Sequence, residues 1–157
     1  MPYGEFGKLR FLDFLPKISH YSIEEDGCVE TRLGLACSEG SLLTCFLWRP
    51  HSTQTAAIAL DFDSDCPEEA GNALLQYLGL NIRKGMRYED VKQALGTPVK
   101  DFGPPGARGG AAEIPYIVGS AWPYYLDCYV TETGGLSRVW IARKDLVDEF
   151  DHWESSV

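Results

Sequence analysis

The sequence predicts an α+β fold, in which an antiparallel β-sheet, possibly built from two meanders, packs against two short helices at about residues 66–79 and 88–95. Three observations predict it. Turn residues recur at roughly 8–12-residue spacing between strand-like runs in the first part of the chain. The apolar period then becomes helical, and strand-like runs return near the end. A chain of 157 residues fits one domain. Its possible sub-modules are a strand-rich part, 1–63, and a helix–helix–strand part, 64–157.

The first part of the chain has five strand-like runs, at residues 8–15, 17–23, 28–35, 42–48 and 55–62. The third run shows the pattern most clearly, because Val29, Thr31 and Leu33 alternate with Glu30 and Arg32. A period of two is typical of a strand with one face in the core.

The first helix is predicted from its start and stop signals. Ser64 or Asp65 can cap it, and Pro67 is tolerated in the first turn. Leucines repeat at helical spacing, and Gly79 is a natural C-terminal stop.

The second helix is predicted between two glycines, Gly85 and Gly96. Val91 and Leu95 lie on one face of it, so we expect them to pack inward. Beyond a Gly/Pro-rich loop at 102–112, strands are predicted at 114–118, 122–131 and 136–142, and a short helix at 145–153.

The run at residues 82–91, followed by Leu95-Gly96-Thr97-Pro98, resembles a known module. It is similar to the family that includes β-lactamase inhibitor protein and the small lipoprotein of the outer-membrane barrel assembly machinery. The resemblance covers about residues 79–143, and Arg87 stands where the family usually has a Ser or Thr cap. It implies a helix pair with an antiparallel sheet, used for contact between proteins rather than for catalysis. Fold resemblance alone does not establish function.

The net charge of −9 argues against nucleic-acid binding, since an acidic surface repels phosphate backbones. The charge is uneven: five acids and no lysine or arginine occur in residues 51–81. We therefore expect a protein partner that is basic.

We expect no membrane association and a cytoplasmic location. The uncharged stretch 51–60 is far shorter than the roughly 20 apolar residues of a membrane span, and the first residues lack the apolar core of a signal peptide. The five cysteines are odd in number and lack C-x-x-C spacing, which indicates reduced structural thiols. No metal site and no cofactor are expected.

Two segments are candidates for partner binding. One is acidic, and the other is the exposed face of an aromatic strand, where tyrosines suit protein interfaces. The candidate residues are Asp61, Asp63, Asp65, Glu68, Glu69, Tyr125, Asp127 and Tyr129.

The functional expectation is a non-enzymatic protein-binding module, most concretely an immunity or inhibitor protein that neutralises a partner toxin or enzyme. No catalytic residue is assigned. One alternative is a small metal-dependent hydrolase, because Asp61 and Asp63 follow an apolar strand as D-x-D, which resembles the nucleophile motif of haloacid-dehalogenase-type phosphatases. The other alternative is a structural or oligomerisation subunit.

Overall fold

The computed structural model describes residues 22–23, 29–34, 42–47, 55–64, 66–107, 110–119, 123–145 and 147–148. The elements among these residues, in chain order, are β1 (Ser22–Ile23), β2 (Val29–Gly34), β3 (Leu42–Leu47), β4 (Thr55–Asp61), α1 (Glu68–Tyr77), α2 (Tyr88–Leu95), β5 (Ala112–Val118), β6 (Tyr124–Thr131) and β7 (Gly135–Arg143). The predicted α+β class, an antiparallel sheet with two short helices, is confirmed. The predicted strand at 8–15 and most of the predicted helix at 145–153 lie outside the described residues.

The described strands form one antiparallel sheet in the order β1-β2-β3-β4-β7-β6-β5. The two halves of the chain meet where β4 pairs with β7, with Ala57 opposite Ala142 and Asp61 opposite Arg138. The strand-rich part and the helix-containing part therefore share one sheet.

One face of the sheet and the two helices enclose the core. Ile58, Leu60, Leu126 and Ile141 project from the strands, Leu75 projects from α1, and each of these side chains is at most 1% exposed. Burying a side chain of this size contributes roughly 1.5–3 kcal/mol. The core face of the sheet is thus covered by helices.

Helix α1 begins later than predicted, and the expected Ser64 cap is wrong. Pro67 occupies the N-cap position without a side-chain cap hydrogen bond, and Asp65, the other expected cap, lies outside the described residues. The backbone oxygen of Asp61 accepts the N–H groups of Ser64 and Cys66, at 3.2 and 3.0 Å, so Ser64 belongs to the turn that ends β4. At the other end, Gly79 adopts the left-handed conformation that a helix stop favours.

Helix α2 has its predicted bounds, and a tight turn fastens its start to the sheet. Gly85 donates its N–H to the oxygen of Leu136 at 2.9 Å, and the N–H of Leu136 bonds to the oxygen of Met86 at 2.7 Å. Gly85 has a φ of 86°, which a glycine adopts without strain. The turn before α2 therefore extends the hydrogen bonding of β7.

The segment that follows α2 is held by Asp101. Its carboxylate accepts hydrogen bonds from the Tyr88 hydroxyl and, at 2.8 Å, from Lys92 Nζ. These hydrogen bonds hold the pKa of Asp101 well below its ordinary value, and the one from Lys92 contributes most. Further along, Val99 donates its N–H to the oxygen of Pro115 at 2.8 Å, which fastens the same segment to the edge of β5.

Two further findings concern expectations from the sequence. Cys66 and Cys128 are buried, and burial raises the pKa of the Cys128 thiol. Within the part of the chain that the structure describes, no helix has both the length and the apolar character needed to cross a membrane.

Candidate functional site

The face of the sheet opposite the helices carries the aromatic strand. We call the part formed by β5, β6 and β7 the outer face. Cross-strand partners in an antiparallel sheet point to the same side, so the register defines its members. They are Glu113, Pro115, Ile117, Tyr125, Asp127, Tyr129, Arg138, Trp140 and Ala142.

Asp127 lies at the centre of the outer face, between Pro115 and Trp140. Its carboxyl hydrogen-bonds to Glu113, which lies diagonally across on β5. Burial, and then the negative charge of Glu113 and this hydrogen bond, raise the pKa of Asp127 to about 6. Among the described residues no lysine or arginine offsets these effects. Within the part of the chain that is described, the outer face thus holds two neighbouring carboxyl groups, Asp127 and Glu113, whereas its arginine, Arg138, lies over the Tyr129 ring.

Tyr129 lies beside this pair and is half-buried. The guanidinium of Arg138, its partner on β7, lies 5.5 Å from the centre of the Tyr129 ring. Burial and the nearby carboxylates raise the pKa of the Tyr129 hydroxyl. Tyr129 and Arg138 therefore form a cation–π pair at one end of the outer face.

Tyr125 marks the other end, and its hydroxyl has a partner. It donates a hydrogen bond to Asp148, which also accepts one from Lys144 Nζ at 2.5 Å. Lys144 Nζ lies 5.4 Å from the centre of the Tyr125 ring. The Tyr125 hydroxyl is therefore engaged within the protein.

The acids of the acidic segment lie partly on the sheet and partly on helix α1. Asp61 ends β4 and shares a row of the sheet with Arg138 and Tyr129. Glu68 and Glu69 are exposed in the first turn of α1, on the helical side.

The other two acids of the segment follow Asp61 in the sequence. Asp63 is exposed in the turn after β4, and Asp65 lies outside the described residues. Of the acidic-segment residues whose placement the structure describes, only Asp61 shares a row of the sheet with a tyrosine of β6.

The two acids of the D-x-D pair are joined by a hydrogen bond. The carboxylate of Asp61 accepts the N–H of Asp63 at 3.2 Å. Among the described residues, no three His, Cys, Asp or Glu side chains gather where they could hold a metal ion.

Sequence reasoning missed Glu113, Arg138 and the Lys144–Asp148 pair. Alternation along β5 places Glu113 on one face of its strand, but the residues of β6 beside it depend on the register between the two strands, which alternation within one strand does not fix. Arg138 lies opposite Tyr129 because the register of the β6–β7 hairpin shifts between Tyr129 and Val130. Such a shift is not visible in the sequence pattern of either strand.

Compared with known protein families, with curated proteins and with solved structures, the chain gives no match to any of them. The resemblance noted for residues 79–143 therefore stays a prediction.

Proposed function

We propose that this chain is a non-enzymatic protein-binding module that neutralises a basic toxin or enzyme, and that the outer face receives a lysine or arginine of that partner. The observation that carries the proposal is the pair of adjacent carboxyl groups, Asp127 and Glu113, flanked by Tyr125 and Tyr129.

The carboxyl pair favours a cationic ligand. Two neighbouring carboxylates repel each other, and the raised pKa of Asp127 records that repulsion together with burial. A cation placed between them would remove the repulsion and make charge-assisted hydrogen bonds. The site is therefore complementary to a basic side chain.

The tyrosines favour a protein surface around that side chain. Tyr125 and Tyr129 lie two residues on either side of Asp127, so their rings border the same spot on the sheet. Aromatic rings attract cations at their faces and supply the large, stiff contacts on which interfaces depend. Trp140, opposite Asp127, adds a third ring.

The charge distribution supports rapid and selective association. With a net charge of −9, the chain attracts basic proteins at long range. Such attraction raises the association rate and weakens with salt.

The test begins with affinity capture from the source organism, using the full chain as bait. A basic protein should be recovered and should then bind the purified chain in calorimetry. Tyr129→Ala should weaken that binding about thirtyfold or more, since the aromatic residues that dominate an interface cost about 2 kcal/mol or more when truncated. Asp127→Asn should weaken binding and reduce its dependence on salt.

Asp90→Asn is the matched control, because Asp90 is an exposed acid on α2, in the helical layer. It removes the same charge and should leave the affinity unchanged. Recovery of no basic protein, or equal effects of Asp127→Asn and Asp90→Asn, would contradict the proposal.

A further inference from the structure

A second surface lies on the helical side of the molecule. A cleft of about 680 Å³ separates α1 from α2, and the segment joining the helices closes one end. Its volume falls within the roughly 300–1,000 Å³ typical of ligand sites in proteins. It belongs to the layer opposite the outer face, so its function is separate from the proposed partner binding.

Amide side chains form the rim of this cleft: Asn72, Gln76, Asn81 and Gln93. Asn72 and Gln76 are one helical turn apart and so share a face of α1. The side-chain oxygen of Asn72 accepts the N–H of Lys84 at 2.9 Å, which fixes its amide and leaves the NH₂ group for a ligand. Gln76, Asn81 and Gln93 are exposed.

The floor is apolar and well supported. Ile82 is 4% exposed, and Met86 and Ala94 are partly buried against the core. The sulfur of Met86 also accepts the N–H of Arg83 at 3.2 Å, which holds the joining segment in place. The cleft thus combines an apolar floor with a rim of hydrogen-bonding amides.

The remaining lining residues restrict the class of ligand. Among the described lining residues, Arg83 and Asp90 carry opposite charges, so these residues together select neither phosphates nor polyamines. None of the described lining residues is aromatic, so they do not offer the stacking surface that sugars and nucleobases use. Amide side chains match peptide groups, because both present one carbonyl acceptor beside N–H donors.

We propose that the cleft between α1 and α2 binds a short, extended peptide segment without net charge. The rim amides hold its backbone, and the floor of Ile82, Met86 and Ala94 takes an apolar side chain.

The test titrates the full chain, labelled with ¹⁵N, with pools of acetylated and amidated tetrapeptides that contain no charged residue. Each pool fixes one apolar side chain at one position. Saturable shifts should appear in the amide signals of the cleft residues for pools that fit the floor. A Gln76→Ala, Gln93→Ala double variant should bind at least about tenfold more weakly, since each lost hydrogen bond is worth about 1 kcal/mol.

The control is Thr133→Ala, at an exposed position in the turn between β6 and β7, which should bind as the wild type does. Unchanged urea midpoints would show that the glutamine variants are folded. Absence of shifts at millimolar peptide would overturn the proposal, and so would shifts confined to the outer face. Equal binding of free amino acids or of the glutamine double variant would also overturn it.

Discussion

Replacing Asp127 by Asn should stabilise the protein above pH 6 and leave its stability unchanged below about pH 3. The folded state binds the Asp127 proton more tightly than the unfolded state, since the pKa rises from an ordinary 3.8 to about 6 on folding. Between these two values the folded state holds more protons, so the free energy of unfolding falls as pH rises. Above pH 6 the penalty of ionising Asp127 is fully present. Asparagine carries no charge and escapes this penalty.

The expected size follows from the same values. Each tenfold change in proton affinity corresponds to 1.36 kcal/mol, so the rise from 3.8 to about 6 would amount to about 3 kcal/mol for a fully buried group. Asp127 is only half-buried, and solvent screens its interactions. We therefore expect about 1–1.5 kcal/mol at pH 7.5, or about 3–5 °C in melting temperature. An asparagine N–H can still donate to Glu113, so the hydrogen bond itself is retained.

The assay is urea unfolding at pH 4.5, 6 and 7.5, followed by tryptophan fluorescence, with the denaturant dependence compared between variants. Glu132→Gln is the control, because Glu132 is an exposed acid in the turn between β6 and β7 and its replacement changes the net charge equally. The reasoning is refuted if the gain from Asp127→Asn is the same at pH 4.5 and 7.5. It is also refuted if Glu132→Gln gives the same gain.

Three further variants test backbone conformation and hydrogen bonding in the described part of the fold. Gly135→Ala should cost about 2–4 kcal/mol in urea unfolding, because its φ is +71° and an added Cβ would lie 2.3 Å from the backbone oxygen of Gly85. Gly110→Ala has a similar φ of +86°, and no atom of the described residues lies within 4 Å of the added Cβ, so it should cost only about 1–2 kcal/mol; equal losses would argue against the contact at Gly135. Tyr116→Phe should cost about 0.5–1.5 kcal/mol, since it removes the 2.9 Å hydrogen bond to the oxygen of Gly96; a change below 0.3 kcal/mol would count against that bond.

Local patterns were sufficient to predict α2. Gly85 and Gly96 bound it, and Val91 and Leu95 have the spacing of an inward face; the structure buries both, at 0% and 3% exposure. Each of these signals is contained within one segment of the chain. The helical pattern did not predict that Tyr88 is buried. Its hydroxyl donates a hydrogen bond to Asp101, which lies beyond the end of the helix.

The start of α1 could not be predicted in the same way. Ser64 is a good cap by residue type. In the structure the carbonyl of Asp61 holds Ser64 in a turn, because β4 must end there and the chain must reach the helical layer. Tertiary geometry therefore overrides a local preference.

The candidate site was predictable along β6 but not across the strands. Alternation placed Tyr125, Asp127 and Tyr129 on one face, as the structure has them. Which residues stand beside them depends on register, and a shift of one residue would have moved Glu113 to the core face. The feature that distinguishes the site is the carboxyl group of Glu113 next to Asp127. These two residues lie on different strands, so the pattern of either strand alone could not predict it.

The two proposed surfaces are separated by the core. Asp127 lies on the outer face, whereas Gln76 and Gln93 border a cleft that the helices form on the other side of the sheet. Between these layers lie closely packed side chains such as Leu126, at 0% exposure. Changes at distant sites without shared contacts have additive effects on stability and binding. A variant at one surface therefore serves as a folded reference for the other, so failure of partner binding and failure of peptide binding can be told apart in the same set of proteins.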